Sequence, residues 1–303
     1  MIAIFSALIP VFLLIVVGWL IRATAGFEET VWSAIESLVF WLFLPALLLT
    51  TTWSATLEGF RILPLATALL AAILLTAALA MLIRRWLEID DAGFSSVFQG
   101  AIRTNVYVGL AAASALYGAA GLAVMGIVVF VVITTVNVLS VLALANYGAR
   151  PENARVAKMA LLGNPLIIAC LSGFAFNALG FEPAGFVFDT LEILSRAALA
   201  LGLLCVGAGL EVQELHRHPR AMVAAGALKL LFMPFATAAF CWMLRIEGVT
   251  AAAAVLFNTV PISASSYILA RHMGGDARLV SGMITVTTLA AVVTMPLMLS
   301  LLT

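Results

Sequence analysis

Charge is what this sequence has least of. Of 303 residues only 10% are Asp, Glu, Lys or Arg, divided evenly into 15 acidic and 15 basic for a formal net charge of zero. A water-soluble domain carries about a quarter charged residues, so a soluble globular class is excluded. The neutral balance also excludes a polyanion-binding surface, and no nucleic-acid partner is expected. Cysteine is almost absent: Cys170, Cys205 and Cys241 all fall inside apolar runs, which leaves neither a disulfide framework nor a thiolate metal site. His216, His218 and His272 sit in connecting segments without metal-ligand spacing. His-Glu-x-x-His, Gly-x-Ser-x-Gly and the Gly-rich Lys-Ser/Thr phosphate loop are missing, so an enzyme, an ATP-driven pump and a bound cofactor are not expected. No basic segment precedes the first apolar run and no small-residue cleavage pattern follows it, which predicts a retained span rather than a signal peptide.

What the chain does have is hydrophobicity, 64% of its residues, with a mean hydropathy of +1.17. A membrane-spanning helix needs about 20 mainly apolar residues. Ten such runs occur, at approximately 2–21, 32–53, 63–83, 94–116, 122–146, 159–179, 186–209, 221–243, 250–271 and 279–302. Strict alternation of apolar and polar residues is absent, so a β-barrel is not expected. The sequence predicts an all-α membrane protein of ten transmembrane helices in a lipid bilayer.

The chain also repeats itself. Pro10 and Gly18 recur 155 residues later as Pro165 and Gly173, and Pro64 as Pro219. Gly118 and Gly126 recur 156 residues later as Gly274 and Gly282, and at that spacing Asn105 falls on Pro261. Five spans in each half, 1–150 and 151–303, place the second copy upside down in the bilayer. Inverted repeats of this kind characterise secondary transporters, whose site lies where the halves meet near the midplane. Loop charge gives the same picture. The connections after spans one, three, five, seven and nine hold ten basic residues (Arg22, Arg84, Arg85, Arg150, Arg155, Lys158, Arg217, Arg220, Arg271, Arg278), while the others hold two, Arg61 and Arg245. Positive-inside bias then puts both termini outside the cytoplasm, and the absence of long cytoplasmic loops fits a cytoplasmic (inner) membrane. Trp19, Trp32, Trp53, Trp86 and Trp242 fall near span ends and read as interfacial anchors.

Two spans depart from the ordinary pattern, in equivalent places of the two halves. Span 4 carries Arg103-Thr104-Asn105 and span 9 carries Asn258-Thr259-Val260-Pro261-Ile262-Ser263-Ala264-Ser265. Pro261 lacks an N–H and clashes with the carbonyl four residues earlier, which predicts a break. Backbone groups freed in hydrocarbon must line a cavity or find partners, and Asn258, Thr259, Ser263 and Ser265 are near enough to serve. Asn105 can adopt the left-handed region or bond locally in span 4. Half-helix N-termini at such breaks favour an anion. A single proline in a membrane helix is ordinarily structural; its symmetric counterpart in the other half is what points to a site.

Three cations lie within spans. Arg196 has Glu192 one turn earlier and reads as a structural ion pair. Arg103 and Lys229 have no such neighbour and suit an anionic substrate, although Lys229 is equally explained by snorkelling or a distant carboxylate. Glu36 and Asp189, in equivalent regions of spans 2 and 7, are candidates for coupling to a proton or cation, with structural pairing as the competing explanation.

With these residues in view the chain resembles the auxin efflux carrier family, and its bacterial malonate-type members in particular. The resemblance covers nearly all of the sequence. It is carried by Pro10 with Gly18-Trp19-Leu20, by Phe40-Trp41-Leu42-Phe43-Leu44-Pro45-Ala46-Leu47, by Arg103-Thr104-Asn105, by Gly163-Asn164-Pro165, and by Pro261 with Ser263-Ala264-Ser265-Ser266-Tyr267 and Gly274-Gly275-Asp276. It implies a fold like that of sodium/bile-acid symporters and sodium/proton antiporters, with spans 4 and 9 as crossover helices. Spans 1, 2, 6 and 7 would form a scaffold, and spans 3–5 and 8–10 a transport unit moving elevator-fashion. One departure stands out. Gly109-Leu110-Ala111-Ala112 replaces a proline that members often carry after the span 4 asparagine, so the break is expected to rest on Asn105 and Gly109.

The expectation is a secondary carrier of a small mono- or dicarboxylate held by Arg103, Thr104, Asn105, Asn258, Thr259, Pro261, Ser263, Ser265 and Lys229, without a metal. A homodimer is compatible with this reading. A sodium-coupled carrier of bile-acid-like amphipaths and a membrane sensor with the same fold are the alternatives.

Overall fold

The structure is a computed structural model that describes residues 2–55, 61–149, 163–216 and 218–303. The expected boundary between halves at 150/151, and the loop cations Arg150, Arg155, Lys158 and Arg217, lie outside the described residues. Everything regular among the described residues is helical. In chain order the helices are α1 (Ile2–Thr24), α2 (Glu29–Leu38), α3 (Leu44–Trp53), α4 (Ile62–Ile83), α5 (Asp91–Ile102), α6 (Val106–Tyr147), α7 (Pro165–Ala178), α8 (Gly185–Ala208), α9 (Pro219–Ala227), α10 (Met233–Met243), α11 (Gly248–Thr259), α12 (Ser265–Met273) and α13 (Ala277–Leu302). Seven helical stretches among the described residues are long and apolar enough to cross a membrane. One of them, Asp91–Tyr147, has 57 residues, nearly three times what one crossing needs.

Glycine and proline explain how these helices divide. The junction expected between spans 4 and 5 is a single residue inside α6, Gly118, at φ 56° and ψ −140°. Only glycine takes that conformation without strain. Its counterpart Gly274 ends α12 at φ 79°. Spans 2 and 8 instead contain a wide π-helical turn, Val39–Phe43 and Leu228–Phe232, each leading into a helix whose second residue is proline. Pro45 and Pro234 have no N–H to give, and the wide turn moves the opposing carbonyl clear of the ring.

Contacts between the connecting segments sort into two sets. At one end Arg22 pairs with Glu29 and Glu211, Arg220 with Glu88, the Ala149 N–H donates to Gly274 O, and Ser96 Oγ donates to Asp276 O. At the other, Arg61 Nη1 donates to the carbonyls of Leu244 and Arg245, Trp53 Nε1 to Phe181 O, and Asn177 Nδ2 to Trp53 O and Ala55 O. The first set gathers connections after odd-numbered spans and the second those after even-numbered ones.

Two packed groups share this height. In one, α1 lies on α8 with Gly18 against the backbone of Leu204 and Gly207 against the carbonyl of Ile15, and α7 lies on α3 with Gly173 against Thr52. In the other, α4, α5 and α11 pack on α6, with Phe257 over Gly109, and α9, α10, α12 and α13 complete the group by packing on these helices and on one another. Small residues at such contacts let backbones approach where the hydrophobic effect offers no drive, because lipid is as apolar as leucine. The long α6 also reaches the first group, with Tyr107 over Gly202 and Gly126 against Thr52. Large apolar side chains such as Leu13, Trp41, Leu74, Ile193 and Val293 are exposed, a surface suited to hydrocarbon and not to water.

The tryptophans divide. Trp19, Trp86 and Trp242 are exposed as interfacial anchors would be, but Trp32 and Trp53 are buried. Trp53 packs on Phe176, Phe181 and Phe188 while donating its indole N–H, so it clamps one end of the first group instead of facing lipid.

In detergent, Gly207→Val and Gly118→Ala are each expected to lower the melting temperature, through overpacking worth about 1–3 kcal/mol and backbone strain worth about 1–3 kcal/mol respectively. Gly185→Ala, where an added Cβ meets nothing within 4 Å, is expected to leave it unchanged. Equal melting temperatures for all three would overturn this account of the packing.

Candidate functional site

Both interruptions appear where the sequence places them. Residues 103–105 separate α5 from α6, and 260–264 separate α11 from α12. Gly109 is helical, so the first break is confined to Arg103-Thr104-Asn105 and does not extend to that glycine. The reason is capping: Asn105 is extended and its Oδ1 accepts the N–H of Val108 at 3.2 Å, so α6 starts at once.

The two breaks satisfy each other. The N–H of Asn105 donates to Pro261 O at 3.0 Å. The N–H of Ile262, released because the chain leaves α11, donates to Thr287 Oγ1 of α13 at 3.2 Å. Asn258 Nδ2 donates to Thr237 Oγ1 of α10 at 2.7 Å. Thr259 Oγ1 turns back onto Leu256 O of its own helix and makes no link between the breaks.

Around this junction lies a polar chain. Arg103 is 7% exposed; its Nη1 donates to Asn137 Oδ1 at 2.9 Å and its Nη2 to Ser265 Oγ at 2.7 Å. Ser265 Oγ lies 2.8 Å from Ser263 Oγ. Ser263 and Ser265 are half-buried, whereas Thr104, Asn105, Asn258, Thr259 and Pro261 are buried, so the two serines are the open edge of the cluster. Several buried polar atoms here have no hydrogen-bond partner among the described residues: Arg103 Nε, Thr104 Oγ1, Asn105 Nδ2 and Asn258 Oδ1, with Gln99 and Ser266 close by in sequence. Such groups are costly to bury unless water or a ligand meets them.

Electrostatically the junction is positive. Among the described residues no carboxylate pairs with Arg103, whose partners are an amide oxygen and a hydroxyl. α6 and α12 both begin at this junction, which places their positive dipole ends beside it, although Asn105 Oδ1 caps the Val108 N–H and the N–H groups of Ser266 and Tyr267 donate to the carbonyls of Ser263 and Ala264.

Of the residues singled out from sequence, Arg103, Thr104, Asn105, Pro261, Ser263 and Ser265 come together. Lys229 is fully buried and donates to Asn258 O at 2.8 Å, joining the far side of α11 and not the Arg103 chain. Glu36 is half-buried in α2 and joins none of these hydrogen bonds. Asp189 is exposed in the first turns of α8 and joins none of these hydrogen bonds. Arg196 does pair with Glu192, at 3.3 Å. Sequence reading passed over Asn137, Thr237, Thr287 and Gln99. An amide inside an apolar span is itself a signal, since it is expensive there without a partner, and it would have flagged Asn137 and Gln99.

A bundle of apolar helices, wrapped in an apolar surface and holding a buried polar junction at two helix breaks, belongs to the class of multi-pass membrane transport proteins. The family described as Membrane transport protein, which comprises the auxin efflux carriers, matches residues 3–299, and the chain belongs to it. It is also similar to an uncharacterized transporter of Methanothermobacter thermautotrophicus, 25% identical over 295 residues and covering 96% of each chain.

Thr287→Val keeps the side-chain shape and removes the acceptor of the Ile262 N–H. Leaving that buried group unpaired is expected to cost about 1–3 kcal/mol, seen as a lower melting temperature. Thr288→Val, whose hydroxyl bonds only Ile284 O of its own helix, is expected to be nearly silent. The reverse order would mean that Thr287 does not hold the break.

Proposed function

We propose that this chain is a secondary carrier of a small organic anion, a mono- or dicarboxylate such as malonate or an auxin-like acid. The observation that carries the reading is the buried Arg103 guanidinium, set at the meeting of two helix breaks with neutral partners only among the described residues. A buried charge lacking a counter-charge costs several kcal/mol, and an anionic ligand would supply what the junction lacks. A carboxylate entering past Ser263 and Ser265 would accept from Arg103 Nη2 in place of the serine hydroxyl, with Asn105, Thr104 and the α6 N-terminus adding neutral donors.

In this reading the two halves are inverted five-helix repeats, and α5–α6 and α11–α12 are the crossover elements. Three observations support it: the breaks fall at matching places, Gly118 and Gly274 both take positive φ, and loop contacts segregate by odd and even span number. The group of α1, α2, α3, α7 and α8 would serve as scaffold and the group around α6 as the moving unit, giving elevator-type alternating access. Glu36, half-buried in α2, suits a proton-coupling role; Asp189, exposed near the start of α8, suits one less. The breadth of the loop-charge bias supports a cytoplasmic (inner) membrane with both termini outside.

Two experiments test this. Proteoliposomes are expected to take up one member of a carboxylate panel saturably, and Arg103→Ala to lose at least about 2 kcal/mol of binding, roughly thirtyfold in apparent affinity. Equal uptake by Arg103→Ala would remove Arg103 from the site. For orientation, Glu182→Cys is expected to react with a membrane-impermeant thiol reagent on intact cells and Glu28→Cys only after permeabilisation; the opposite pattern would invert the topology.

A further inference from the structure

Lys229 has a position that the anion site does not use. Its side chain is fully buried, and Nζ donates to Asn258 O at 2.8 Å with Met233 Sδ at 3.8 Å. Asn258 O would ordinarily accept from the N–H of residue 262. That N–H is taken by Thr287, so the carbonyl is one of the orphans at the C-terminal end of α11. The helix macrodipole places negative potential there. Asn258 Oδ1, also buried, has no hydrogen-bond partner, and Thr237 Oγ1 touches the same side chain. Carbonyl and amide oxygens with a nearby hydroxyl at the end of a broken half-helix are the ligand set with which carriers of inverted-repeat design hold a coupling cation. Here the cation on that carbonyl belongs to the chain. Lys229 also sits in the π-helical turn Leu228–Phe232, a local widening that re-aims side chains and recurs at functional positions.

We propose that the Lys229 ammonium is a resident cation that occupies the carbonyl end of α11, where a coupling metal ion would otherwise bind, so that the carrier works without sodium. Lys229 is then a positioning residue, fixing the end of the broken helix from behind while Arg103 faces the substrate. The inference rests on the carrier reading but not on the identity of the substrate.

The test is thermal unfolding of the purified full chain in detergent, in sodium chloride and in choline chloride at equal ionic strength. The wild type is expected to melt at one temperature in both. Lys229→Ala, which opens a cavity beside Asn258 O, is expected to melt lower in choline and to recover saturably with sodium or with propylammonium, as a site-bound ligand requires. Lys229→Met, which fills the same space without charge, is expected to melt lower and to respond to neither. Selective stabilisation of the wild type by sodium would overturn the proposal, as would a Lys229→Ala protein indifferent to every cation and amine. Should Lys229→Ala not survive purification in choline, purifying it in propylammonium chloride and then exchanging the salt makes the same comparison, and failure to fold in either salt counts against the proposal. A carboxylate panel without uptake would sink the substrate assignment and leave the melting comparison standing.

Discussion

Inside a bilayer an unpaired backbone N–H or C=O costs several kcal/mol, because no water is present to take its bond. This chain nevertheless interrupts two helices, at 103–105 and at 260–264. Its solution is to bring the interruptions together, so that the Asn105 N–H meets Pro261 O. Two more of the freed groups are taken up by side chains of neighbouring helical segments, Ile262 N–H by Thr287 and Asn258 O by Lys229. The close packing of α6 against α11, with Phe257 lying on Gly109, follows from the same need, since a side chain at residue 109 would hold the breaks apart. Remove the mutual pairing and neither half could carry its break.

That solution leaves an electrostatic imprint. The negative carbonyl end of α11 receives an ammonium, and the N-terminal ends of α6 and α12 open beside a guanidinium. The two buried cations therefore do different work. Lys229 meets backbone negative potential and is compensated by the fold. Arg103, among the described residues, meets an amide oxygen and a hydroxyl and no carboxylate.

The packing around the junction distinguishes firm contacts from lighter ones. Glycine-to-backbone contacts bind α1 to α8 more closely than anything that joins those two helices to the group around α6, and Gly173 packs on Thr52 where α7 meets α3. Tyr107 lies over Gly202 where α6 meets α8, and an apolar groove lined by Phe12, Val16, Val292 and Pro296 runs between α1 and α13.

Much of this was legible in sequence. Scarce charge and long apolar runs dictate a membrane-embedded helical chain, because only a helix closes its own backbone bonds in lipid. Proline chemistry at residue 261, the cap-forming amide at 105 and the glycines at 118 and 274 mark breaks and turns through local constraints that need no partner. The cations Arg103 and Lys229 were likewise visible as charges in apolar company. What no linear reading could assign is which group answers which. Asn137, far along the chain from Arg103, Thr287 opposite Ile262, and the choice of Lys229 for a helix end and Arg103 for the open site all depend on distances between helices remote in sequence. So does the burial of Trp53, which by position alone reads as a lipid anchor. The sequence by itself determined where the backbone must break and which charges must be buried, because those follow from local sterics and solvation. Only the tertiary structure decided how each exposed bond and charge is compensated, because compensation acts over about 3 Å between helices that nothing in their order brings together.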